Sequence, residues 1–250
     1  MPEGDTLHRI ARTLQTALAG KKVTRFETVL PKLARVDDQT PVRGRTIEQV
    51  RAVGKHLIEF SGGLELRTHL RMNGSWHIYR TGERWQRSRI DMRLVITTDE
   101  WEAVGFNIPV AEFTRVDAPV AVGPDLLAAE IDVDDAVQRL RVLASEEIAE
   151  ALLNQRAVSG IGNIWKSETL FACRVWPFAK VESIGDEKLR EIVVTARKLL
   201  RRSVAATSRS RFGVYGRRGE PCRRCGTPIE MKKQGRDACV TYWCPRCQLQ

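Results

Sequence analysis

A chain of 250 residues with 42% hydrophobic content is long enough to bury a real core and to divide into two or three modules, which excludes a disordered tail. Its net charge of +10 is concentrated: from Arg197 onward fourteen Lys or Arg face three acids, Glu220, Glu230 and Asp237, a local +11 that leaves the preceding 196 residues about neutral. No apolar run approaches a membrane span and the first thirty residues carry no secretory signal, so a reducing, cytoplasmic, nucleoid-associated setting is expected. In chain order, Leu7, Ile10, Ala11, Leu14 and Leu18 form a helical stripe ended by Gly20. Short, largely alternating runs follow at Val23 to Glu27, Thr46 to Val53, His56 to Phe60, Leu64 to His69, Ser75 to Tyr79 and Met92 to Thr97, which predict an antiparallel sandwich or barrel.

After the Ala118-Pro119 and Gly123-Pro124 breaks the pattern becomes helical, over about 133 to 143, 145 to 154, 163 to 172 and 186 to 206. Ser145 is placed to cap the second of these, ahead of Glu146 and Glu147. Ser159-Gly160-Ile161-Gly162-Asn163 is too glycine-rich for a helix interior and predicts a turn between two helices. Such a turn lets backbone approach a ligand, and the amides that open the next helix suit a phosphate, with Asn163 adding a side-chain contact; most glycine turns merely connect. Low-complexity sequence is limited to Ser203 to Arg211.

The last twenty-nine residues carry Cys222-x-x-Cys225, eighteen residues, then Cys244-x-x-Cys247. This is the two-knuckle spacing of a zinc ribbon, and four thiolates close a tetrahedral site with no open position for a reacting water, so the zinc is read as structural. The alternative is two disulfides, which a reducing compartment disfavours. Strong positive charge around this module points to a polyanion, with nucleic acid first; a solvated basic face without a partner is the plainer reading. Of the remaining cysteines, Cys173 lies on an apolar helix face and reads as core.

The amino terminus supplies a reactive group. Removal of Met1 before the small Pro2 leaves a secondary amine of pKa roughly 8, able to attack a sugar carbon and form a Schiff base without a cofactor. Glu3 beside it is placed to donate a proton to the sugar ring oxygen. Met-Pro-Glu alone opens many unrelated chains. Together with Val53-Gly-Lys55-His56, His69-Leu-Arg-Met72-Asn-Gly74, Gly160-Ile-Gly-Asn163 and Val214-Tyr-Gly-Arg217, however, the whole chain resembles the formamidopyrimidine-DNA glycosylase and endonuclease VIII family.

The resemblance implies an α+β fold: an N-terminal antiparallel β-sandwich with its leading helix (1–119), a helix-two-turns-helix region (124–210) and a zinc ribbon (213–250). It implies a bifunctional glycosylase and lyase acting on oxidised bases or abasic sites in double-stranded DNA, with Pro2 as Schiff-base nucleophile, Glu3 as acid and proton shuttle, and Lys55 as a second catalytic group. Read locally, Lys55 is only a lysine at a strand edge. Base flipping makes Met72 the expected void filler, flanked by Arg71 and Asn73, with Phe106 as a candidate wedge and His69 as a candidate DNA contact; core packing is the alternative for Met72 and Phe106. One departure is evident. Relatives carry an arginine five residues before the third cysteine, where this chain has Cys239; Arg236, three residues earlier, is the candidate substitute, and the second elimination depends on it. Gly4, in place of a leucine common in the purine-repair branch, and the short stretch between the helix ending near Val204 and Tyr215 both favour oxidised pyrimidines. The competing readings are a non-catalytic zinc-ribbon protein that binds damaged DNA, and, within the family, a purine glycosylase.

Overall fold

The computed structural model describes residues 3–53, 56–115, 122–206 and 211–249, with backbone alone for 56–61. It divides into two compact units, Thr6–Val120 with the first two residues, and Glu3–Asp5 with Ala121–Gln250.

The first unit is built on helix α1 (Gly4–Leu18), whose Leu7, Ala11, Leu14 and Leu18 recur every three or four residues and are buried. Gly20, at φ 75, ends the stripe and donates its amide to the Ile47 carbonyl. Two four-stranded antiparallel sheets share the core with this helix, contributing Val50 and Leu66 from one and Trp76, Leu94 and Ile96 from the other. One runs β1 (Arg25–Thr28), β6 (Met92–Thr97), β7 (Trp101–Phe106), β5 (Ser75–Arg80); the other runs β2 (Ile47–Val53), β3 (His56–Ser61), β4 (Leu64–His69), β8 (Val110–Arg115). All six predicted strands are present, β1 starting two residues later than expected. Helix α2 (Pro31–Gln39), β7 and β8 were not foreseen. A single buried side chain, Leu33, anchors α2, and the last four residues of β7 are all buried, which erases the alternation that marks a half-exposed strand.

The second unit packs α3 (Val133–Arg141), the single turn α4 (Ile148–Ala151), α5 (Asn163–Cys173) and α6 (Asp186–Ala205) around Leu140, Ile148, Leu170, Leu189 and Ile192. Asp132 caps α3 by accepting the Asp135 amide at 2.9 Å. The expected helix over 145 to 154 is corrected: four residues are helical, Glu147 stands at the N-cap, and Ser145 caps nothing. The cause is extended pairing. Ile148 donates to Ala179, Val181 donates to Glu146, and Glu147 bridges Lys180, so the backbone Ser145 was expected to start is already committed to another segment. Cys173 is buried in this core, as expected. The hairpin of β9 (Glu230–Gln234) and β10 (Cys239–Trp243) completes the unit.

Candidate active site and nucleic-acid interface

The predicted glycine turn is present and its geometry explains its composition. Gly160 sits at φ 100, a left-handed value that favours glycine, and Gly162 is the N-cap of α5 with no side chain to cap it. Glu3 supplies the missing cap from 161 residues away: its carboxylate accepts the Ile164 amide at 2.7 Å and the Trp165 amide at 3.2 Å, and it is 1% exposed. Amides at a helix N-terminus stabilise negative charge, so the carboxylate is held in place by backbone. This corrects the expectation that the opening amides of α5 await a phosphate, since Glu3 occupies two of them. A methyl group on Gly162 would overlap the Glu3 carboxyl. Gly162→Ala is therefore expected to displace Glu3 and, if Glu3 has the role the resemblance implies, to slow the reaction by on the order of tenfold to a hundredfold with zinc retained, since small misplacements at a reacting centre cost that much. Single-turnover kinetics with metal analysis checks it, and an unchanged rate would show that the Glu3 position is not needed.

Neighbouring residues fasten the same segment. Gly4 donates its amide to Gly160 at 3.0 Å, and a Cβ at Gly4 would lie 2.6 Å from the Gly160 carbonyl oxygen. Asp5, buried, accepts the Ser203 hydroxyl at 2.5 Å. Asn163, the first residue of α5, neighbours the Tyr215 hydroxyl; burial pushes the Tyr215 pKa up and the Asn163 side chain pulls it partly back. Asn163 Oδ1 is buried with no hydrogen-bond partner among the described residues. Glu168, one turn along, accepts the amides of Gly213, Val214 and Tyr215 at 2.7 to 2.9 Å, fixing the strand of chain that leads into the ribbon. Neither Glu168 nor the buried Lys166 was singled out from sequence. Their signal was polar residues inside a helix, α5, that is buried on nearly every face.

The four cysteines converge. Cys225 Sγ lies 3.5 Å from both Cys244 and Cys247, and Cys222 lies 3.9 Å from Cys247. A tetrahedron of sulfurs about 2.3 Å from zinc has edges of about 3.8 Å, so the set fits one ion, and these residues hold a structural zinc. Burial and the neighbouring sulfurs push Cys247 up to about 12 and burial raises Cys244, while hydrogen bonds from Thr227 bring Cys225 down to about 6. Four thiolates in this space require a neutralising cation.

The ribbon is tied to the helices by side chains. Arg224 donates to the Phe171 and Ala172 carbonyls at the end of α5 and stacks on the Phe171 ring, and Gln248 donates to Val175. Gln234 donates to Glu147 and Pro177 while accepting from Thr241. Arg236 is exposed in the hairpin turn, beside a cavity of about 600 Å³ that Glu146, Glu147, Glu150, Asp237 and Cys239 also line. Cys239 is half-buried.

In the first unit, Leu70 to Gly74 forms a tight turn closed by the Gly74 amide on the Leu70 carbonyl at 2.8 Å. Arg71 takes φ 46 there and its amide donates to His69 Nδ1, which accounts for one ring nitrogen. Met72 projects from the turn 70% exposed, so it is not core. Phe106 is core: it is 0% exposed, the last residue of β7, and packed edge-on against His77 and Trp85, which overturns the wedge expectation. Burial, and then Arg87, lower the pKa of His77. Pro2 and Lys55 lie outside the described residues.

Three family profiles match in sequence: the formamidopyrimidine-DNA glycosylase N-terminal domain over residues 1–108, the formamidopyrimidine-DNA glycosylase H2TH domain over 122–212, and the zinc finger found in FPG and IleRS over 219–249. The chain is 38% identical to a "Probable endonuclease 8 2" of Streptomyces coelicolor, covering 99% of this chain and 94% of the relative. It is 35% identical to the "DNA-(apurinic or apyrimidinic site) lyase Nei2" of Mycolicibacterium smegmatis, covering 99% of each. Among solved structures, the formamidopyrimidine-DNA glycosylase of Lactococcus lactis bound to abasic-site DNA superposes with a TM-score of 0.87 at 22% identity, covering 99% of this chain and 100% of that one.

Proposed function

Since the chain belongs to the formamidopyrimidine-DNA glycosylase and endonuclease VIII family, we propose that it excises oxidised bases from double-stranded DNA through a Schiff base on Pro2. It is a DNA glycosylase with lyase activity at apurinic or apyrimidinic sites, of the endonuclease VIII type, and it serves base excision repair. The observation that carries the reading is Glu3: a buried carboxylate fixed by α5 amides, directly after the residue whose amine would react. The lone pair of the Pro2 nitrogen bonds to the anomeric carbon, and the base leaves with the electrons of its bond to the sugar. Loss of the N–H proton lets the nitrogen lone pair expel the ring oxygen, which takes a proton from Glu3, leaving an iminium ion. Removal of a proton from C2′ then expels the 3′ phosphate. Lys55 is assigned beside the phosphates as the second catalytic group, and Asn163 to the DNA backbone. Met72, exposed at the tip of a closed turn, is the residue that fills the space left by the flipped nucleotide, with Arg71 and His69 beside it.

Oxidised pyrimidines are the favoured substrates. The leucine common at position 4 in the purine branch is incompatible with a Gly160 carbonyl 2.6 Å from the Cβ position, so Gly4 belongs to this arrangement. A DNA substrate supports a cytoplasmic, nucleoid-associated setting. No helix among the described residues is long and apolar enough to cross a membrane. The working parts are taken as 1–119 for catalysis, 124–210 for the helical DNA clamp and 213–250 for the ribbon. Duplexes carrying thymine glycol or 8-oxoguanine, assayed for base release and strand scission, test the reading; faster release of the pyrimidine is expected, and faster release of 8-oxoguanine would move the chain to purine repair.

Arg236 is assigned to the phosphates flanking the lesion. Arg236→Ala is expected to weaken binding, to lower the slope of log affinity against log salt by about 1, and to reduce the second elimination more than base release. Unchanged affinity, salt slope and product ratio would show that another residue grips these phosphates.

A further inference from the structure

The helix that carries the catalytic turn also holds a buried charge with no assigned role. Lys166, one turn after Asn163 on α5, has a side chain with no solvent exposure, and its ammonium meets no hydrogen-bond acceptor among the described residues. A buried ammonium without acceptors is strongly unfavourable unless a nearby opposite charge compensates it. Glu150 of α4 is the first candidate, but its Oε1 stands 3.9 Å from the ammonium, beyond hydrogen-bond reach, and is itself buried without a partner. The pair is therefore not a closed salt bridge.

Burial lowers the Lys166 pKa, and three groups oppose that: Glu150 from α4, Cys239 from β10, and Glu3 from the N-terminal segment. Glu150 faces, besides Lys166, the acids Glu147, Asp237 and Glu146, and burial raises its own pKa. Glu3 faces Lys166 and the Tyr215 hydroxyl. Geometry binds the two partners together, because the Glu3 carboxylate is hydrogen-bonded to the amides of Ile164 and Trp165, the two residues immediately before Lys166. The Glu3 carboxyl also lies where a Cβ on Gly162 would stand, and Lys166, four residues on, falls on that same face of α5. On its other side Lys166 meets the carboxylate over which the hairpin turn is laid, since a Cβ at Gly235 would overlap Glu150.

We infer that Lys166 is a positioning residue for the catalytic carboxylate, a fixed buried cation that favours the ionised form of Glu3 and is shared with Glu150 beneath the ribbon hairpin. When Glu3 hands its proton to the sugar ring oxygen, the carboxylate it becomes is stabilised by two amides and by this ammonium, which need no rearrangement at that moment. The inference rests on the reading of Glu3 as the acid–base group.

Single-turnover base release measured across pH tests it, in Lys166→Met, Lys166→Arg, Glu150→Gln and Glu3→Gln, with zinc content and thermal melting alongside. Lys166→Met keeps the length of the side chain and removes its charge, so the pH limb set by Glu3 is expected to move up by about one unit, a tenfold change in the protonation equilibrium. Lys166→Arg keeps the limb in place. Glu150→Gln removes the competing carboxylate and moves the limb the other way, to lower pH. A merely structural lysine changes the melting temperature and leaves the limb alone, and that result overturns the inference. If Lys166→Met does not fold, Glu150→Gln decides: a downward move supports the shared cation, and an unmoved or raised limb overturns it. Glu3→Gln separates the two levels of the argument. Full activity in that variant removes the reading of Glu3 itself, whereas loss of activity together with an unmoved limb in Lys166→Met removes only the inference about Lys166.

Discussion

Cys244→Ser releases the zinc and lowers affinity for damaged duplex DNA by a hundredfold or more, the order expected when about 10 kcal/mol or more of metal binding is linked to folding of a small module. The apolar cluster around the knuckles is small: Val214, Ile229 and the thiols Cys222 and Cys244 rest on Phe171 of α5, and beyond it the hairpin adds Trp243, edge-on against Trp176 and Phe178, and Tyr242 against Tyr215, too few side chains to order the knuckles without the ion. Its seating on the helices runs through Arg224, Gln234 and Gln248, each of which reaches its acceptor only when the knuckles and hairpin are formed. Metal analysis and a binding titration check this; a variant that keeps its zinc would show that the ligand set is wrong.

Glu3→Gln lowers base release by about a hundredfold to ten-thousandfold, the range for removal of a positioned proton donor. The substitution also damages the cap. A glutamine oxygen can accept one of the amides of Ile164 and Trp165, but its NH₂ then confronts the other, where the carboxylate accepts both. Cleavage at a preformed abasic site is expected to fall less, because that sugar already opens to an aldehyde that the Pro2 amine attacks without a proton donor at the ring oxygen. Equal losses on the lesion and the abasic site would remove the distinction between donor and scaffold.

How much of this was legible in the sequence follows the range of the signals. The cysteine knuckles, the α1 stripe, the glycine turn and six of the eight sandwich strands were readable because each is written over a few neighbouring residues. Helix α2 and the buried strand β7 were not, since one anchoring leucine and an unbroken apolar run carry no clear period. The misreading of Ser145 has a related cause: a good cap in a helical context was overridden by strand-like pairing with residues more than thirty positions away. At the site, Pro2 and Glu3 were read from a terminal amine with a carboxyl beside it and Lys55 from motif resemblance, but that Glu3 caps α5 is a fact about residues 161 apart. For Phe106 the alternative, core packing, holds: within Gly105-Phe-Asn107 it read as a loop residue, whereas it ends a strand and lies in a core with Trp85, beside the His77 ring. Lys166 had no local mark beyond being a lysine, and its significance lies wholly in what surrounds it.

The most direct test of the account is covalent trapping. Protein freed of Met1 is incubated with duplex DNA carrying thymine glycol or an abasic site and treated with borohydride, beside Pro2→Gly. The account predicts a stable protein–DNA adduct that is lost or strongly reduced on changing Pro2. Absence of any adduct with DNA binding intact would contradict Schiff-base catalysis and leave a protein that binds damaged DNA without cutting it.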